Sequence, residues 1–189
     1  MTLDNIVIIS GPSGAGEDSV IEGLRAFTTI NRVITTTSRA PRNGDFEGNP
    51  YYFVSREVFQ QKIDSGEMVE WAEQYNGNLY GVSRAELERV NAMVGLGVWK
   101  MEYKGVQTAK KLFPEIKSIF LMAESLEVLE QRIRNREQVS DEFIAERMAY
   151  TREWLKHEEI YDYKVINRQG KLDDTIQEVV DILRKEQYL

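Results

Sequence analysis

Short apolar runs alternate with longer amphipathic stretches, and this alternation predicts an α/β fold with a parallel sheet flanked by helices. Apolar runs at residues 5–10, 98–101, 118–122 and 163–166 are short and mix aliphatic with aromatic side chains. Such runs suit strands covered on both faces. Helical patterns follow them at residues 18–27, 105–112, 126–136 and 172–185. In the last, Ile176, Val179, Val180 and Leu183 recur at helical spacing, one face for packing on a sheet. Residues 141–160 predict a further helix, and residues 132–146 around its start are dense in charge.

Residues 33–94 have a different texture. Thr35-Thr-Thr37, Tyr51-Tyr-Phe-Val54, Met68-Val-Glu-Trp71 and Asn78-Leu-Tyr-Gly81 are short β-prone runs separated by polar, glycine-containing turns. One helix is expected among them, at 56–65. The pattern predicts a small mixed β/α insertion at 33–94 within a core formed by residues 1–32 and 95–189.

Composition narrows the chemistry. The 189 residues contain no cysteine and one histidine, which excludes disulfides, thiolate metal sites and Cys nucleophiles. His157 lies in the charged stretch Lys156-His-Glu-Glu159 and is expected to be a solvated surface residue. A net charge of −7 argues against a broad nucleic-acid surface, though not against a local basic pocket for a small anion. No apolar run approaches the ~20 residues that span a bilayer, so no membrane association is expected. The N-terminus shows no basic segment followed by a long apolar stretch, and a cytoplasmic location is the default expectation.

Two clusters point to phosphate chemistry. The segment Gly11-Pro-Ser-Gly-Ala-Gly-Glu-Asp-Ser19 joins an apolar strand to a helix. A glycine-rich turn in that setting lets backbone N–H groups face a phosphate chain. The general pattern G-x-x-x-x-G-K-[ST] continues with lysine, whereas Glu17 follows the last glycine and Asp18 follows it. The second cluster is Thr35-Thr-Thr-Ser-Arg39-Ala-Pro41-Arg42-Asn-Gly44, followed by Tyr51. Two arginines around a proline-stiffened turn form a cationic fork, and arginine binds phosphate oxygens in bidentate fashion. A solvated basic turn is the bland alternative, and the neighbouring glycine loop weighs against it.

In these residues the chain resembles the guanylate kinase family. The family pattern runs G-P-S-G-x-G-K, T-T-R-x-P-R-x-G-E-x-x-G-x-x-Y-x-F-V, E-W-A, a glycine-tyrosine turn, and R-L-x-x-R-G with a later arginine. Here the matching residues are 11–16, 36–44, Gly48, Tyr51, Phe53, Val54, Glu70-Trp-Ala72, 77–81, Arg132-Ile-Arg-Asn-Arg136 and Arg147. Order and spacing hold over nearly the whole chain. The resemblance implies a nucleoside monophosphate kinase fold with a P-loop core, an inserted GMP-binding subdomain and a lid at about 132–148. It implies ATP and GMP as substrates and Mg²⁺ as cofactor.

On that resemblance Gly11, Ser13, Gly14, Ala15, Gly16, Asp18 and Ser19 belong to the ATP phosphates, with Asp18 or Ser19 at the metal. Asn167 lies near adenine. Arg39, Arg42 and Tyr51 hold the GMP phosphate, with Tyr80 at the pocket's edge. Glu70 accepts from guanine N1–H and the 2-amino group; an exposed strand residue beside a core tryptophan is the alternative. Thr35 lies near the base, Val82 replaces a usual hydroxyl with Ser83 as a substitute, and Glu102 lies near GMP and the metal. Arg136 and Arg147 clamp the transferring phosphoryl group, with Arg132 in the same set. Arg134 and Arg152 are read as surface charge. Lys100 and Lys104 replace an acid and a glutamine of the family.

Glu17 sets a conflict within this picture. At about 4 Å, replacing attraction by repulsion costs several kcal/mol at intermediate dielectric. An acid in the first turn nonetheless favours the helix itself. A catalytically weak binding module for GMP or a phosphopeptide, a kinase disabled by one substitution, and an active kinase with Lys100, Lys104 or another cation moved into the site all remain open. Asp18-Ser19 alone also resembles ribose bisphosphate phosphokinases.

Overall fold

A computed structural model describes residues 2–49, 51–74, 77–136 and 139–189, with Arg136 described by its backbone alone. The chain runs β1 (Ile6–Ser10), α1 (Glu17–Gly23), a short 3₁₀ turn, β2 (Ile30–Arg32), β3 (Thr35–Thr37) and β4 (Tyr51–Phe53). Next come α2 (Arg56–Asp64), β5 (Met68–Glu73), β6 (Leu79–Ser83), α3 (Arg84–Asn91), β7 (Leu96–Lys100) and α4 (Tyr103–Leu112). The last third holds β8 (Ser118–Met122), α5 (Leu126–Arg136), α6 (Asp141–Leu155), β9 (Tyr163–Ile166) and α7 (Leu172–Lys185).

The apolar runs form one parallel sheet in the order β2-β7-β1-β8-β9. Parallel neighbours need crossover segments, which place helices over the sheet faces. Every residue of β1 and β8 is therefore buried. Amphipathic α7 packs Ile176, Val179, Val180 and Leu183 inward, as its periodicity predicts. It lies close to α1: a Cβ on Gly23 would come within 2.2 Å of Ile176 Cδ1.

The second sheet, β4-β3-β6-β5, draws every strand from residues 35–83. It is mixed, with β3 parallel to β4 and antiparallel to β6. Its inner strands β3 and β6 are mostly buried, whereas β4 and β5 are largely half-buried and carry polar side chains without loss of core.

Three features depart from the sequence reading. Strand β2 joins the parallel sheet through the register Ile30↔Leu96. Helix α3 is a second helix within 33–94. Its cap is Ser83, whose hydroxyl accepts the Glu86 N–H at 3.2 Å, and buried Leu87 and Val90 anchor it. The helix expected over 141–160 ends at Leu155, and a separate 3₁₀ turn covers Glu158–Ile160.

Buried Glu86 fastens α3 to the junction of the two sheets. It accepts the Ile34 N–H at 2.7 Å and a two-pronged contact from Arg89. Among the described residues, no helix is long and apolar enough to cross a membrane.

Candidate functional site

Parallel strands bring their C-terminal ends to one edge, where ligands of open α/β sheets bind. Here that edge gathers the loop after β1, Arg32 from β2, Lys100 from β7 and Asn167 after β9. A Cβ on Gly11 would lie 2.3 Å from the Leu121 carbonyl oxygen, so only glycine lets the chain leave β1 this close to β8. Gly16 caps α1 in the left-handed region at φ 94°.

The loop is braced from its rear. Asn167 Nδ2 donates to the Ala15 carbonyl at 2.8 Å. Arg132 donates to the carbonyls of Gly14 at 3.3 Å and Asn167 at 2.9 Å. Carbonyls held this way leave a left-handed, glycine-rich turn shaped as an anion nest. Arg132, expected among the phosphoryl-clamping cations, also donates to Gln169 Oε1 at 3.2 Å and lies 3.7 Å from Glu124, because its helix α5 packs directly behind the loop. Gly14 is that close to it: a Cβ there would lie 3.0 Å from the Leu129 carbonyl.

The first turn of α1 carries Glu17 and Asp18. Asp18 Oδ1 accepts from Arg32 at 2.9 Å and Oδ2 from Lys100 at 2.7 Å. Burial pushes the Asp18 carboxyl up, but Lys100 and Arg32 outweigh it and hold the group below its usual range. Burial likewise pulls Lys100 down, and Glu17 with Asp18 more than reverses that, so its ammonium is held firmly charged. Ser19 is exposed one residue further along α1, and Ser13 is half-buried in the loop.

The arginine fork lies between β3 and β4. Arg39 donates to Asp45 Oδ2 at 2.7 Å, and the Arg42 backbone N–H reaches the same oxygen at 2.9 Å. The Arg39 guanidinium also lies 5.3 Å from the Tyr51 ring centre and 5.6 Å from that of Phe53. Tyr80 meets Tyr51 edge to face at 5.7 Å. Thr35 stands beside Tyr51 in the parallel register of β3 and β4, while the Arg42 side chain is exposed.

Glu70 on β5 and Glu102 at the start of α4 lie close enough for their charges to interact. Glu70 is 8% exposed, whereas neighbouring Trp71 is 46% exposed. This inverts the alternative of an exposed acid beside a core tryptophan, because α4 covers the Glu70 face of β5. Burial, with Glu102 adding, pushes the Glu70 carboxyl up to about 7. No described residue donates a hydrogen bond to that carboxylate. Glu102, at the N-cap of α4, accepts from Tyr150 at 2.6 Å and from Gln74 at 3.2 Å.

Other expectations resolve individually. Val82 is fully buried and Ser83 accepts the α3 cap bond, so Ser83 is engaged in holding the helix. Arg147 lies on α6 with its guanidinium 5.0 Å from the Phe143 ring centre. The Arg136 side chain, and residues 137–138 of the expected lid, lie outside the described residues. Arg134 pairs with Glu130 and Asp141 on the surface. Lys104 lies 6.0 Å over the Tyr103 ring. His157 stacks on the Tyr103 ring, centroids 4.7 Å apart at 9°, so it is partly covered rather than freely solvated.

Arg32, Asp45, Gln74 and Tyr150 were not singled out from sequence. Asp45 had a usable signal, an acid directly after the turn glycine beside two arginines. The others depend on strand and helix packing.

A guanylate kinase family model matches residues 4–186. A guanylate kinase of Idiomarina loihiensis is 40% identical over 87% of this chain and 80% of its own. One from Haemophilus influenzae is 37% identical over 98% of this chain and 90% of its own. The crystal structure of guanylate kinase from Anaplasma phagocytophilum superposes with a TM-score of 0.73 at 32% identity, covering 96% of this chain and 85% of that one. The shared sheets, the glycine loop at the strand edge and this extent of similarity place the chain in the guanylate kinase family of nucleoside monophosphate kinases.

Proposed function

We propose that this chain transfers the γ-phosphoryl group of ATP to GMP, giving ADP and GDP. The observation that carries this reading is Glu70, a buried carboxylate without a donor among the described residues. A buried charge lacking a partner is costly, and a ligand offering two parallel N–H groups relieves it. Guanine presents such a pair at N1 and the 2-amino group; adenine does not. Thr35 and Glu102 flank the base. Arg39, Arg42, Tyr51 and Tyr80 hold the GMP phosphate, which takes over the donors now directed at Asp45.

The loop, through Gly11, Ser13, Gly14, Ala15 and Gly16, wraps the ATP phosphates, and Asn167 borders adenine. A GMP phosphate oxygen attacks the γ-phosphorus in line, and the bond to the β-phosphate oxygen breaks. Such transfer relies on positioning and on neutralising spread charge. Arg147 and Arg136 supply that neutralisation from a lid at about 132–148. Residues 33–94 serve as the GMP-binding unit, and 1–32 with 95–189 as the ATP-binding core. The setting is the cytoplasm.

Magnesium is held by one or two carboxylates together with substrate phosphates. Among the described residues no cluster of three or more acidic, His or Cys side chains could hold a metal alone. Asp18, with Ser19 beside it, fits that small donor set, because a carboxylate has lone pairs beyond those given to Arg32 and Lys100. When bound, Mg²⁺ neutralises phosphate oxygens.

In this reading Glu17 stands where the loop lysine is expected, which favours a second possibility, a binding role with little turnover. ADP formation from ATP and GMP, with AMP in place of GMP as control, separates them. GMP-dependent turnover with AMP inert is expected. Tight GMP binding without turnover supports the binding role, and equal response to AMP overturns guanine recognition.

A further inference from the structure

A phosphate loop normally carries a lysine after its last glycine, whose ammonium reaches the β- and γ-phosphates. Glu17 occupies that place here, so the first turn of α1 offers carboxylates instead. A cation reaches the same turn from another element. Lys100 ends β7, and its Cα pairs with Ile9 of β1, immediately below the loop. Its Nζ lies 2.7 Å from Asp18 Oδ2. The Lys100 side chain is 41% exposed. Its charge acts on Glu17 and Asp18 and also on Tyr51, whose ring lies beside Arg39 of the fork. Lys104, by contrast, sits over Tyr103.

Resting on the reading of this site as a phosphoryl-transfer site, we propose that Lys100 supplies the loop's ammonium from strand β7, binding triphosphate oxygens where they face the fork. Positions 17 and 100 have exchanged the charges that the chemistry needs. The Asp18 carboxylate, shared with Arg32, parks the ammonium beside the loop before nucleotide arrives. A different role, in which Lys100 only neutralises Asp18, makes the opposite prediction once Asp18 is uncharged.

The test is calorimetric binding of ATP to the full-length chain, without GMP. Lys100→Met is expected to weaken binding about tenfold or more, the loss of one charge-assisted contact. Lys100→Arg is expected to retain most of the affinity. In an Asp18→Asn background, Lys100→Met still weakens binding about tenfold. Lys104→Met controls for general loss of positive charge and stays within about twofold of the parent. Thermal melting checks that each variant is folded, with Lys100→Gln as the second neutral variant. Unchanged affinity in Lys100→Met, no effect in the Asp18→Asn background, or no ATP binding by the parent overturns the proposal. Because GMP is absent, loss of ATP affinity at Lys100 in a protein that does not phosphorylate GMP sustains this proposal while sinking the kinase reading.

Discussion

The Arg39 guanidinium and the Arg42 main-chain N–H meet Asp45 within one proline-stiffened turn, whereas Asp18 is met by Arg32 and Lys100 from the ends of two different strands. Both places balance an acid against cationic groups. In the fork all the partners are neighbours in sequence, and the charge is visible in the motif. In the glycine loop the local sequence is acidic, and the parallel sheet brings the cations to it. The sign of a site's field belongs to the edge of the fold that surrounds it, not only to the loop that names it.

The strongest way to test the fork's half of this contrast is Arg39→Met. Loss of a bidentate guanidinium should lower kcat/KM for GMP about a hundredfold or more and leave ATP affinity nearly unchanged. An effect below about threefold would make the fork a spectator.

Glu70→Gln comes next. An amide presents only one acceptor to the two donors, and GMP affinity should fall roughly thirtyfold. The same change should stabilise the free protein. The folded carboxyl titrates near 7, above the ordinary 4.5, so the native state binds the extra proton between those values. Stability therefore declines as pH rises through that window, by roughly 3 kcal/mol in total. Melting of Glu70→Gln and the parent should differ at pH 8 and converge near pH 4.5; equal melting at pH 8 would remove the buried charge from the account.

Gly16→Ala probes the loop without touching the fork. Its Cβ would fall 2.4 Å from Asn167 Nδ2 in a left-handed backbone. Strain of roughly 1–2 kcal/mol should weaken ATP about tenfold and spare GMP. Parallel losses for both ligands would show that the two regions do not act separately.

The smallest expected effect is in pH. Guanosine, which lacks a titrating phosphate, should bind about threefold more tightly at pH 7.5 than at 6.5, because its donors select ionised Glu70. That dependence should vanish in Glu70→Gln. A flat profile in the parent would separate Glu70 from the base.

Several elements were legible because their signal is local. Strands β1 and β8 are apolar throughout, which is what burial on both faces requires, and α7 shows its buried stripe. Helix α3 was missed although Ser83 and Glu86 stand three apart in the capping pattern, with Leu87 and Val90 behind them; its charged surface concealed that cue. Strand β2, only Ile30-Asn-Arg32, has no period to read and exists because β7 offers it an edge. Glu70 and Trp71 look interchangeable on a strand. Which one is buried depends on where α4 lies.

By itself the sequence determined the glycine loop after β1, the arginine-containing turn, the parallel core and the family resemblance, since each rests on backbone conformation or on residues close in the chain. Only the tertiary structure decided that Arg132 reaches the loop carbonyls and Gln169, that Glu70 lacks a donor among the described residues, and that Lys100 stands beside Asp18. Charge acts through space over a few ångströms, and parallel strands bring together ends that the chain keeps far apart.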